Sequence, residues 1–193
     1  MRLPERTGEQ VRIGVAIAVP PPVAAVLQAA RARSGDPLAS LIPPHLTLLG
    51  PTVVEPAELE AASAHLAAVA TRHEPFVLHL RGTGSFRPVS PVVFVQVAQG
   101  IAQCERLESA VRSGPLDQPL RFTYHPHVTV AHELSEKALD AAAAGLDGFE
   151  ATYVVASLAL YTHADDGVWR SAREIPLSGA ERGGGARRGE RDR

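Results

Sequence analysis

Apolar positions along this chain recur with two periods, near two and near three to four, and the changes between them mark out its elements. Residues 11–19 form a β-branched apolar run that predicts a strand. Pro20, Pro21 and Pro22 close it and open a helix to about residue 33, because proline is tolerated in a first helical turn. Ser34-Gly35-Asp36-Pro37 breaks that helix. A short strand over 45–49 is expected to stop at Gly50-Pro51. The helix after it, over about 56–73, carries Leu59, Ala62, Leu66, Val69 and Ala70 at helical spacing, and 76–80 alternate as a strand.

The second part of the chain repeats this order. A strand over 92–97 leads to a helix over 101–112, a break at Ser113-Gly114-Pro115, and a strand over 127–131. Ser135 can cap a helix that Gly145 terminates. Residues 149–162 read as one long strand with a bend, and 169–177 as its hairpin partner after Asp165-Asp166-Gly167. Recurrence of one order at a near-constant offset argues for internal duplication, with lobes over about 10–82 and 90–177 facing each other across a cleft. From Ser178 onward the glycines and scattered charges predict a disordered tail, 178–193.

The third element of each part carries the same signature. Pro44-His45-Leu46-Thr47-Leu48 recurs 82 positions later as Pro126-His127-Val128-Thr129-Val130. In a strand, alternate side chains share a face, so His45 and Thr47 point one way and Leu46 and Leu48 the other. His127 and Thr129 repeat the arrangement. One His-x-Thr in a half-buried strand is unremarkable. Two copies at equivalent points of a repeated order outweigh the structural reading.

Imidazole, with an ordinary pKa of about 6.5, can take or give a proton near neutrality. Two imidazoles flanking one phosphorus can therefore divide general base and general acid work, each for roughly 10²–10⁴-fold in rate. Threonine hydroxyls beside them can donate to phosphate oxygens as negative charge builds. That chemistry needs no metal and no cofactor.

Charge and composition remove other classes. The chain of 193 residues carries a net charge of −2. Five arginines against three acids make the tail +2, leaving −4 for the rest, so no basic footprint for duplex DNA exists. A nucleotide or RNA terminus bearing a phosphate ester fits better. Lys137 is the one lysine and no Gly-rich loop ends in Gly-Lys-Ser/Thr, which disfavours ATP-driven chemistry. Cys104, the single cysteine, reads as a buried helical thiol. No leader-like apolar run or membrane-length stretch is present, so a cytoplasmic protein is expected; a monomer is the expected state as a separate reading.

Other candidates carry two readings each. Phe86 and Arg87 stand in a loop expected between the lobes, where they could stack a base and hold a phosphate, or pack a hinge. Tyr124, just before the second motif, is equally ambiguous. His125, His127 and His132 could suggest a metal site, but no cysteine or acidic residue accompanies them at ligand spacing.

On its two Pro-His-h-Thr-h segments, h being apolar, the chain resembles the 2H phosphoesterase superfamily in its 2′-5′ RNA ligase-like, RNA 2′,3′-cyclic phosphodiesterase branch. The resemblance spans about residues 10–177. It implies a bilobal, duplicated α+β fold, with two antiparallel sheets and flanking helices around a central cleft. It also implies His45 and His127 as acid and base, Thr47 and Thr129 as phosphate ligands, and Phe86 or Arg87 against substrate. His132 stands where many bacterial members have arginine, and Phe94 where they have tryptophan. The expected activity is metal-independent opening of 2′,3′-cyclic phosphates to 2′-phosphates, reversible toward 2′-5′ ligation. The alternative is a non-catalytic module that binds an RNA end or nucleotide in the same cleft.

Overall fold

Pairing between the two motif strands decides the architecture. A computed structural model describes residues 3–179, so all but the first two residues of the expected tail lie outside the described residues. Its strands are β1 (Val11–Ala18), β2 (His45–Val54), β3 (Phe76–Ser85), β4 (Val92–Gln99), β5 (His127–His132), β6 (Glu150–Val155), β7 (Ser157–His163) and β8 (Trp169–Pro176). Between them run α1 (Pro21–Arg33), α2 (Glu58–Ala70), α3 (Ile101–Val111) and α4 (Glu136–Ala144). All eight strands join one curled sheet in the order β6-β3-β4-β5-β2-β1-β7-β8, every neighbour antiparallel.

The expectation of two sheets is therefore corrected. Two four-stranded halves meet through β2 and β5, which pair only where Leu46 faces Val128. The order does not follow the two parts of the chain. β3, from the first part, pairs with β4; β7, from the second, pairs with β1. Residues 149–162 are not one bent strand either. β6 adds to β3 at one end of the sheet, and after Ala156 the chain crosses to place β7 beside β1. The segment holding Phe86 and Arg87 is correspondingly a turn between paired strands of one half-sheet, not a link between lobes.

Helix ends follow the sequence closely. Pro20 is the extended cap residue of α1, with prolines in its first turn. Ser135 Oγ accepts from the Ala138 N–H at the start of α4. β2 runs past Gly50-Pro51 because β1 pairs with it on both sides of a register shift opposite Gly14. Proline is tolerated there because the ladder is already interrupted.

One face of the sheet takes all four helices. Leu27, Leu66, Leu107 and Leu139, one from each helix, share a single buried cluster with Ile13, Val15, Ile17, Leu46, Leu48, Val128 and Val130. Alternation then sends Gly14, Ala16, His45, Thr47, His127 and Thr129 to the other face, which no helix covers. No helix among the described residues is long and apolar enough to cross a membrane.

Candidate active site

Each motif histidine is oriented by the proline before it. Pro43 and His125 both precede a proline, which holds them in extended backbone and turns their carbonyls toward the ring two positions on. His45 Nδ1 donates to the Pro43 carbonyl and His127 Nδ1 to the His125 carbonyl, both at 2.7 Å. A carbonyl can only accept, so Nδ1 carries the proton in each ring. Nε2 is left as the basic nitrogen.

The register brings the two motifs together. Leu46 and Val128 are fully buried and face each other, so the flanking His and Thr positions lie on the open face, all four partly exposed. Counting antiparallel from that pair sets His45 level with Thr129 and Thr47 level with His127. Opposed side chains in such a pair stand about 5 Å apart and diagonal ones about 7–8 Å. Two imidazoles and two hydroxyls thus stand around the joint on one face of the sheet.

Burial lowers the basicity of both rings. His127 is pushed down to about 4, chiefly by burial, with His125 and His45 adding positive-charge repulsion against the carbonyl hydrogen bond. Burial likewise lowers His45; the Pro43 hydrogen bond opposes it and Arg31 adds to it. A bound phosphate would raise both, since an opposite charge favours imidazolium.

The approach to His45 is pinned at several points. Arg31 and Asp36 form a buried ion pair at 2.8 Å, and Asp36 Oδ1 accepts from the Leu38 N–H. Leu41 O accepts from the Trp169 N–H at 3.0 Å, and Pro44 O from the Val19 N–H.

Aromatic walls flank the four residues. Phe86 packs on Phe94 in a tilted arrangement, centroids 4.3 Å apart and planes at 35°, and its ring meets His127 edge-on at 4.9 Å. Phe94 lies over Gly84, where a Cβ would come within 2.7 Å of the ring, so only glycine fits. His125 completes this side, 5.7 Å from Phe86. On the other side Ala16, Ala159 and Tyr161 form a small cluster separate from the main core, with Trp169 packed against it.

Two residues named from the sequence face elsewhere. Arg87 pairs with Glu136 at 2.6 Å and Asp140 at 2.9 Å, both on α4, and its Nε donates to Ser85 Oγ. The Tyr124 hydroxyl is buried without a hydrogen-bond partner among the described residues. Burial beside Cys104, Glu108 and Glu105 raises its pKa. Tyr161 and Trp169 carried no sequence signal, because the β1–β7 pairing brings Tyr161 beside the motif strands and the β7–β8 pairing adds Trp169. Among the described residues no three His, Cys, Asp or Glu side chains gather to hold a metal ion.

Residues 19–167 match the family model described as the 2′-5′ RNA ligase superfamily. A Bacillus cytotoxicus protein provisionally named a phosphoesterase is 34% identical over 101 residues, 52% of this chain and 58% of that one. A Bacillus thuringiensis protein of the same provisional name is 33% identical over the same shares. The match therefore spans a little over half the length of these curated relatives. Among solved structures, Escherichia coli LigT complexed with 3′-AMP covers 88% of this chain and 99% of its own, at 22% identity and a TM-score of 0.68. The Thermus thermophilus protein TT0787 covers 87% and 98%, at 25% identity and a TM-score of 0.55.

Proposed function

The chain belongs to the 2′-5′ RNA ligase superfamily, the 2H phosphoesterases, and on that premise we propose that it is a metal-independent phosphodiesterase acting on 2′,3′-cyclic phosphates of nucleotides or RNA ends. One observation carries the reading: His45, Thr47, His127 and Thr129 share the helix-free face at the single pair joining the two half-sheets. The E. coli LigT complexes with 3′-AMP and with phosphate support a nucleotide phosphate as ligand.

The reaction follows from the tautomers. Nε2 of one histidine takes a proton from water as its oxygen attacks phosphorus. The P–O3′ bond breaks, and the protonated Nε2 of the other histidine gives its proton to O3′. The products are a 2′-phosphate and a free 3′-hydroxyl. Thr47 and Thr129 donate to the non-bridging oxygens while charge accumulates there. With a ribose 5′-hydroxyl in place of water, the same transfers form a 2′-5′ linkage. Phe86, packed against Phe94, supplies a base platform beside His127. Arg87 and Tyr124 have no part in this scheme.

Hydrolysis of a 2′,3′-cyclic nucleotide in EDTA tests it. We expect turnover to survive the chelator and to fall roughly 10²–10⁴-fold in His45→Ala and in His127→Ala. The double variant should lose little more than either single one, because the pair acts as a unit. Turnover lost to EDTA, or kept in both single variants, rules the scheme out. Ligand affinity without turnover in the unaltered chain would favour the non-catalytic binding module.

A further inference from the structure

The geometry points to a second nucleobase platform, Trp169, so that the cleft holds a phosphodiester with a nucleoside on each side. This inference rests on the proposed function and narrows its substrate class. β7 places Ala159 and Tyr161 on the open face, beside Ala16 and Gly14 of β1. Trp169, opposite His163 at the start of β8, packs on this cluster. Its six-membered ring reaches back over Gly14, where a Cβ would stand 3.3 Å from Cζ3. The indole therefore lies over β1, the strand next to motif strand β2.

Phe94 stands on β4, the strand next to motif strand β5, with Phe86 packed against it at a tilt. Both halves of the sheet thus set an aromatic group one strand out from a motif strand, and each uses a glycine to do so: Gly84 under Phe94, Gly14 under Trp169. Between that cluster and the motif strand, β1 presents only small side chains, Ala16 opposite Thr47 and Ala18 opposite His45. A mononucleotide needs one platform. A diester between two nucleosides needs two, on opposite sides of phosphorus, and stacking on aromatic rings accepts any base. Trp169 also donates its backbone N–H to Leu41 O, fixing the platform to the segment that orients His45.

Trp169 is the chain's single tryptophan, so its fluorescence reports on this platform alone. The full chain carrying His127→Ala, to slow turnover, is titrated with 2′-5′-linked adenylyl-adenosine, 3′-AMP and inorganic phosphate, with calorimetry in parallel. Saturable quenching is expected from the dinucleotide, at concentrations about 10-fold below those needed for 3′-AMP, and none from phosphate. Trp169→Phe should keep most of the dinucleotide's affinity advantage, and Trp169→Leu should lose it. Calorimetric binding with unaltered fluorescence overturns the platform and leaves the proposed function standing. Absence of binding by every nucleotide, with no hydrolysis by the unaltered chain, overturns both.

Discussion

At the scale of single residues, the chemistry depends on which nitrogen of each imidazole is left basic. Matching bonds from Nδ1 to Pro43 O and His125 O settle that in the same way for both rings. The proline in each motif is thus part of the proposed catalytic device, because it aims the acceptor. Both rings sit below their ordinary basicity, His127 at about 4, yet one must be protonated to act as acid. We therefore expect kcat/KM, which reports the free enzyme, to peak below pH 6.5 and fall through neutrality. A profile from pH 4 to 8 on a 2′,3′-cyclic nucleotide checks this; a rate still rising above pH 7 contradicts it.

At the scale of elements, the joint between β2 and β5 is one residue pair wide, and one histidine stands on either side of it. Leu46 is fully buried at that joint; Leu66, equally buried, lies on α2. Either leucine changed to alanine should cost about 2–5 kcal/mol of stability by urea denaturation. Turnover by the folded protein should drop only in Leu46→Ala, where the spacing of the two rings depends on the lost side chain. Equal turnover in both variants would show that the joint does not hold that spacing. Motif strands and helix caps were legible because their signals are local: period two around the histidines, proline at the start of α1, Ser135 before α4. The continuation of β2 through Gly50-Pro51 was not, since it depends on a partner strand that tolerates a shift there.

Across the whole molecule, the histidines also couple folding to pH. An unfolded histidine binds its proton near 6.5, whereas folded His127 does so only near 4. Between those values the unfolded chain holds more protons, so stability falls as pH falls, by up to about 1.4 kcal/mol per unit from this residue. Burial pulls His45, His73, His132 and His163 the same way. Denaturation midpoints at pH 7 and pH 5 should therefore separate less in His127→Gln than in the unaltered chain, and an unchanged separation would contradict this. The order of strands at this scale was beyond the sequence. Periodicity marks residues 76–80 and 149–162 as strand but does not show that β3 and β7 each leave their own part of the chain for the other, and the site's second aromatic wall depends on that exchange.

The same exchange sets how the molecule would fare if divided. Parting the chain between β3 and β4 would leave β1 without β7 and β4 without β3, so each separated piece would carry a raw strand edge that only the other fits. Unpaired edges of that kind invite aggregation. Limited proteolysis in the turn around Arg87 should accordingly yield a nicked pair that stays associated, not two soluble fragments.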